Sequence, residues 1–134
     1  TIEIPTTSIS FPWYNPRVYS SLADARIAGI WSYPSNVEER ARCAVFRDLS
    51  EKGYYMGSGL KFGGDWLVYP GDPLRYHSHF VATVFSRPTS TLRPIDVVAF
   101  GRLGTATRKT HLLCGYDDET GIVDYYSIEW AGFG

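Results

Sequence analysis

Two cysteines are all this chain has, Cys43 and Cys114, widely separated and without a CxxC pair or a Cys/His ligand spacing around them. That excludes a disulfide framework and the common zinc modules, and both are expected to be reduced core residues. No apolar run approaches the eighteen or more residues of a membrane span. The opening residues, TIEIPTTSIS, lack the basic-then-apolar layout of a signal peptide, so residence inside the cell without membrane insertion is expected. Net charge is also lacking. Thirteen Lys and Arg stand against fourteen Asp and Glu, giving −1, which argues against gripping nucleic acid by bulk electrostatics. Internal repeats are absent. The glycine-studded GSGLKFGGDW lacks the GK[ST] ending and the following helix of a phosphate-binding P-loop.

What is present is the content of a single domain. A chain of 134 residues can bury about two-thirds of its unfolded surface. Its 44% apolar content is ordinary, whereas 16% aromatic is rich and can serve a core, an interface or base stacking. Charge is unevenly placed. Between Gly71 and His111, Arg75, Arg87, Arg93, Arg102, Arg108 and Lys109 face only Asp72 and Asp96, whereas from Leu112 onward every charge is acidic. A local basic site beside an acidic end suits anion binding by a patch.

Residues 1–34, with Pro5, Pro12, Pro16 and Pro34, are expected to be an irregular leader or the remnant of a linker from an upstream domain, with one short element near Leu22 to Ile30. Residues 35–134 would form the folded domain. Ser35-Asn36-Val37-Glu38 has the capping-box pattern, and Val37, Ala41, Ala44, Val45 and Leu49 predict a helix from Val37 to Lys52, stopped by Gly53. Strands are expected at Tyr54 to Met56, Trp66 to Tyr69 and His77 to Phe85, and a proline-opened helix at Pro94 to Leu103. Two last strands, Thr107 to Cys114 and Ile122 to Trp130, would form a hairpin around the acidic Gly115 to Gly121 turn. The sum is a small α/β domain with a mixed sheet and flanking helices.

The segment DWLVYPGDPLRYHSHF, Asp65 to Phe80, carries the densest chemistry. An apolar strand ends at a Pro-Gly-Asp-Pro turn, and strand ends are where a rigid scaffold presents reactive groups. His77 and His79 would face opposite ways on a strand, without a carboxylate cluster, so metal ligation is a weak reading and no cofactor is expected. A histidine can give and accept a proton near neutral pH, and Lys109 could hold charge on a phosphorane-like transition state. A tyrosine hydroxyl, titrating ordinarily near pH 10, needs positive charge beside it to act as a base, which Lys109 or Arg108 could supply to Tyr69. Taken singly, each also has a structural account. Tyr69 is a core residue, His77 a surface hydrogen-bonder and Arg108-Lys109 a solvated pair, while Arg102 is a helix-end cation and Trp130 an edge-strand packing residue.

Three separated motifs, KFGGDWLVYPGDPLRYHSHF, GRLGTATRKTHLLC and YYSIEW, closely resemble in order the C-terminal nuclease domain of tRNA-splicing endonuclease subunits. The similarity runs from about Gly53 to Trp130 and is strongest to the catalytic subunit type assigned to the 3′ splice site. It implies a compact α/β nuclease fold with a mixed sheet, catalytic Tyr69, His77 and Lys109, and a metal-independent attack of a ribose 2′-hydroxyl leaving a 2′,3′-cyclic phosphate and a 5′-hydroxyl. It also implies that Arg102 and Trp130 pinch a flipped base, with Arg108 a further RNA-facing cation. The implied partners are precursor tRNA, a small non-catalytic subunit joined through the Tyr125 to Trp130 strand, and other catalytic and structural subunits of a heterotetramer. Residence would be in the nucleus or on the mitochondrial surface facing the cytosol. Two other readings stay open: a non-catalytic assembly module of the same complex, and a cyclising ribonuclease acting alone.

Overall fold

The structure, a computed structural model, describes residue 13, residues 17–87 and residues 91–131. The chain divides into two compact units, residues 1–32 and 33–134. In the first, helix α1 spans Leu22–Ile27, and its cap Ser21 accepts a hydrogen bond from the Asp24 amide. No helix among the described residues is long and apolar enough to cross a membrane.

The second unit opens with α2, Val37–Glu51. Its cap is Asn36, whose side chain accepts from the Glu39 amide, while the Glu39 carboxylate accepts from Ser35 N at 2.6 Å and Ser35 Oγ at 3.1 Å. The reciprocal cap therefore sits one residue later than the Ser35–Glu38 pattern suggests, because asparagine caps as well as serine. At the other end Gly53, at φ +92°, lets Gly53 N and Tyr54 N donate back to Ser50 and Leu49 carbonyls, a closed Schellman stop. Ala41, Val45 and Leu49, one turn apart, are the buried stripe.

That stripe packs on a five-stranded sheet in the order β1 (Tyr55–Ser58), β2 (Trp66–Tyr69), β3 (Phe80–Arg87), β4 (Thr110–Asp117), β5 (Val123–Ile128). All neighbours are antiparallel except β3 and β4, which run parallel and are joined across the crossover helix α3, Pro94–Thr107. The fold is thus a mixed α/β domain with flanking helices. Strand side chains alternate in direction, so each face can be read off by parity. Phe80, Ala82, Val84, Leu112 and Cys114 gather with Val45, Leu49 and Val68 under α2. On the opposite face Phe85 and His111 meet Phe100 of α3. Val45, Val68 and Ala82 are essentially inaccessible, each large one contributing about 1.5–3 kcal/mol by burial. Cys114 is equally buried, its thiol pushed up to about 12 by desolvation, whereas Cys43 is only half-buried and so not the core residue expected.

Several boundaries differ from the sequence expectation. β1 starts one residue later and β4 three, and β3 begins at Phe80, not at His77. The turn explains the last shift: Arg75 N and Tyr76 N both donate to the Asp72 carbonyl, consuming those residues before the ladder starts. α3 runs on past Leu103 to Thr107 because Gly101 and Gly104 are buried contact points, not stops. The acidic turn is tied back to α2, with Asp118 accepting two hydrogen bonds from Arg40 at 2.9 and 2.8 Å.

Candidate active site

Strand register alone brings the three motifs to one end of the sheet. Val68 of β2 pairs with Phe80 of β3, and Phe80 pairs with Thr110 of β4. Tyr69 follows the first, Ser78 and His79 precede the second, and Lys109 precedes the third. Backbone hydrogen bonds continue the ladder across this row, from His79 N to the Val68 carbonyl and from Thr110 N to the His79 carbonyl, each at 3.0 Å. His111 pairs with Ile128, so Glu129 and Trp130 leave β5 at the same end.

Tyr69 is half-buried at the end of β2, its ring lying over Gly57, where a Cβ would stand 3.4 Å from Tyr69 Cε2. The Pro70–Tyr76 turn then carries the chain outward. The Asp72 carboxylate accepts from Leu74 N at 2.9 Å, and the Tyr76 ring packs against Gly71, where a Cβ would be 2.8 Å from it. His77 emerges exposed just before the ladder resumes at a buried Ser78. His79 is exposed too, its backbone fixed by both ladder bonds and its ring edge-on to Phe80.

Lys109 is placed by the way α3 stops. Arg108 adopts the left-handed conformation at φ 54°, ψ 41°, and Lys109 N donates to the Gly104 carbonyl at 2.8 Å. The ammonium then reaches across to donate to the Ser78 carbonyl at 3.0 Å, one residue from His77. The backbone register thus puts Tyr69, His77, Lys109 and Arg108 at the same end of the sheet. Arg102 lies six residues before Arg108, roughly 9 Å back along the helix. Its guanidinium stands 5.9 Å from the centre of the Trp130 ring, and Trp130 in turn covers Gly101. A cavity of about 240 Å³ lies between the end of α3 and the end of β5, lined by Gly104, Arg108, Lys109, Glu129 and Trp130.

Cations outnumber carboxylates here, Glu129 lining the cavity and accepting a hydrogen bond from Thr110 Oγ1 at 3.0 Å. Arg40, Lys52, Arg87 and Arg93 are each neutralised by an aspartate, whereas Arg75, Arg102, Arg108 and Lys109 have no carboxylate partner among the described residues. The uneven charge along the sequence therefore becomes a patch at one sheet end.

Supporting residues that carry no local sequence signal are Phe62, Ser78 and His111. His111 is wholly buried between β3 and α3, with Nε2 at 2.7 Å from Thr83 Oγ1 and its ring stacked on Phe100 at 4.4 Å. Its Nδ1 has no hydrogen-bond partner among the described residues. Burial lowers its pKa below the ordinary value, so the folded state disfavours protonation. The unfolded chain takes up that proton as pH falls through about 6.5, so stability is complete above that value and declines on acidification. Wild type is expected to lose melting temperature between about pH 7 and 5 more steeply than His111→Leu, read by thermal unfolding. Equal slopes would show that His111 accepts a proton as easily folded as unfolded. The carboxylates of Asp118 and Asp96, held low by Arg40 and Arg93, titrate below this window.

Residues 40–125 match the tRNA intron endonuclease catalytic C-terminal domain. The chain is 46% identical over 101 residues to the human tRNA-splicing endonuclease subunit Sen34, covering 75% of this chain and 32% of that protein. It is 40% identical over 93 residues to the Saccharomyces cerevisiae subunit SEN34, covering 67% and 33%. To the tRNA-splicing endonuclease of Methanopyrus kandleri it is 39% identical over 92 residues, covering 68% and 51%. The chain spans about a third of the length of the eukaryotic relatives it matches.

Proposed function

The chain belongs to the tRNA intron endonuclease family, and from that premise we propose that it is the catalytic domain of a tRNA-splicing endonuclease subunit that cuts at the 3′ splice site. The observation that carries this reading is that two distant motifs bring Tyr69, His77 and Lys109 to one sheet end, with Lys109 Nζ bound 3.0 Å from the carbonyl beside His77.

In the proposed reaction the ribose 2′-oxygen forms a bond to the adjacent phosphorus while the bond from phosphorus to the 5′ oxygen breaks. Tyr69, in the field of Lys109 and Arg108, assists removal of the 2′ proton. His77, exposed and so open to the leaving group, protonates the 5′ oxygen. Lys109 stabilises charge on the non-bridging oxygens. The products are a 2′,3′-cyclic phosphate and a 5′-hydroxyl, with no cofactor required. Arg102 and Trp130 offer a cation and an indole face to an unstacked base, which would enter by displacing Arg102 from the ring.

Two features support an assembly. β5 pairs only with β4 among the described residues, leaving an edge with exposed Tyr126 for strand addition by a small non-catalytic subunit within a heterotetramer. The patch is local and the net charge is −1, so the body of precursor tRNA would rest largely on partners. The nucleus is the expected site of action, with the cytosolic mitochondrial surface the alternative.

The test is to reconstitute the subunit with its partners, digest precursor tRNA, and map both junctions and the ends. Lys109→Ala is expected to slow the 3′ junction by a large but measurable factor and spare the 5′ one, wild type leaving cyclic phosphate ends. Cleavage of both junctions by the variant would make this chain an assembly module. Cutting by the isolated chain would make it a free-standing ribonuclease.

A further inference from the structure

The glycine-studded stretch between β1 and β2 has no part in the chemistry so far, yet its backbone is closely packed on its neighbours. A Cβ on Gly59 would stand 2.7 Å from Trp66 N, so the loop closes on itself, with Gly59 N donating to Asp65 O and Gly64 N to Gly59 O, each at 3.1 Å. A Cβ on Gly64 would meet the Ala82 carbonyl at 2.9 Å, pressing the loop on β3. Gly63, at φ +74°, lies against Leu103 of α3, where a Cβ would be 2.5 Å from Cδ2. Backbone approach this close is open only to glycine. Held between these points is a single 3-10 turn, Leu60–Phe62, of which Leu60 and Lys61 face solvent and Phe62 is half-buried.

Phe62 presents its ring to Lys109, with Nζ 5.3 Å from the ring centre. The same ammonium donates to the Ser78 carbonyl at 3.0 Å. A lysine side chain carries three donors on a flexible four-carbon stem, and one hydrogen bond leaves it free to pivot. A ring on a second side restricts the pivot. It does so without a counter-charge, so the ammonium keeps its full attraction for a phosphate, which a carboxylate neighbour would weaken. No carboxylate lies within 4 Å of Lys109 among the described residues, in keeping with this arrangement.

We infer that Phe62 is a positioning residue, holding the Lys109 ammonium at the reacting phosphate through its ring face, and that the glycine loop is shaped to deliver it. The inference rests on the catalytic reading of Lys109. A cation on an aromatic face accounts for about a 3- to 30-fold effect. In the reconstituted enzyme Phe62→Leu, which keeps an apolar side chain, is expected to lower kcat by that factor with KM little changed. Phe62→Tyr, which keeps the face, restores most of the rate. In a Lys109→Ala background Phe62→Leu has no further effect, whereas a merely structural role would slow that background too.

A second measurement stands apart from catalysis. The chain has three lysines, and in lysine-labelled protein the Lys109 ε-methylene protons are expected upfield by NMR and return toward the Lys61 position in Phe62→Leu. Lys109 protons unmoved by the substitution, a Leu variant at the wild-type rate, or an equal loss in the Lys109→Ala background would each overturn the inference. If Lys109→Ala alone keeps the full rate, the positioning role of Phe62 falls with the catalytic reading, while the NMR shift still reports whether the contact exists.

Discussion

His77→Ala in the assembled enzyme is expected to slow cleavage at the 3′ junction about 10²- to 10⁴-fold, the range for removing a general acid. The loss should appear in kcat, because the imidazole is needed by the leaving oxygen in the transition state and adds little to ground-state binding. His79→Ala is the matched control. Two residues on and likewise exposed, it rests edge-on against Phe80 and carries no assigned catalytic role. A single-turnover assay that separates the two histidines supports the acid assignment. Equal behaviour of His77→Ala and wild type sinks it.

The second large effect is expected where no functional group is removed. Gly104→Val should cost about 1–3 kcal/mol and lower the melting temperature by several degrees, and should also slow cleavage, by roughly 10²-fold. A Cβ at Gly104 would stand 2.6 Å from the Lys109 carbonyl oxygen, which is backbone and cannot rotate aside as a flexible side chain could. The last turn of α3 must therefore part from the Lys109 peptide. That breaks the bond from Lys109 N to Gly104 O and shifts the ammonium away from Ser78. Any gain in helix propensity over glycine is under about 1 kcal/mol, too small to offset the clash. Gly121→Ala makes the contrast. Its φ of +73° carries backbone strain but nothing lies within 4 Å, so it should lower stability while leaving the rate alone. Thermal unfolding and single-turnover rates on both variants decide between a displaced lysine and a general loss of fold.

These two residues also show what a sequence can and cannot convey. β2 was legible to the residue, because WLVY is a short apolar run ended by Pro-Gly-Asp-Pro. α2 was legible through the period of Ala41, Val45 and Leu49, and its cap slipped only because Ser35 and Asn36 are equally good acceptors. α3 was read too short, since Gly101 and Gly104 are helix stops by propensity and close-packing sites by tertiary context. Phe62 was illegible: nothing local distinguishes an aromatic residue that will meet a lysine 47 positions later. His111 was passed over for the same reason, as its isolation between Thr83 and Phe100 exists only once β3 and β4 are side by side.

The single parallel strand pair has a consequence in time. Tyr69 and His77 belong to the β1–β3 meander, whose contacts are local, while Lys109 arrives only after α3 has crossed over and β4 has docked. Non-local pairing of this kind forms late, and a chain is made from its N-terminus. Under the proposed assignment, a half-made subunit on the ribosome can hold its tyrosine and histidine in place and still be unable to cut the RNA that surrounds it. The nuclease is armed by the completion of its own fold.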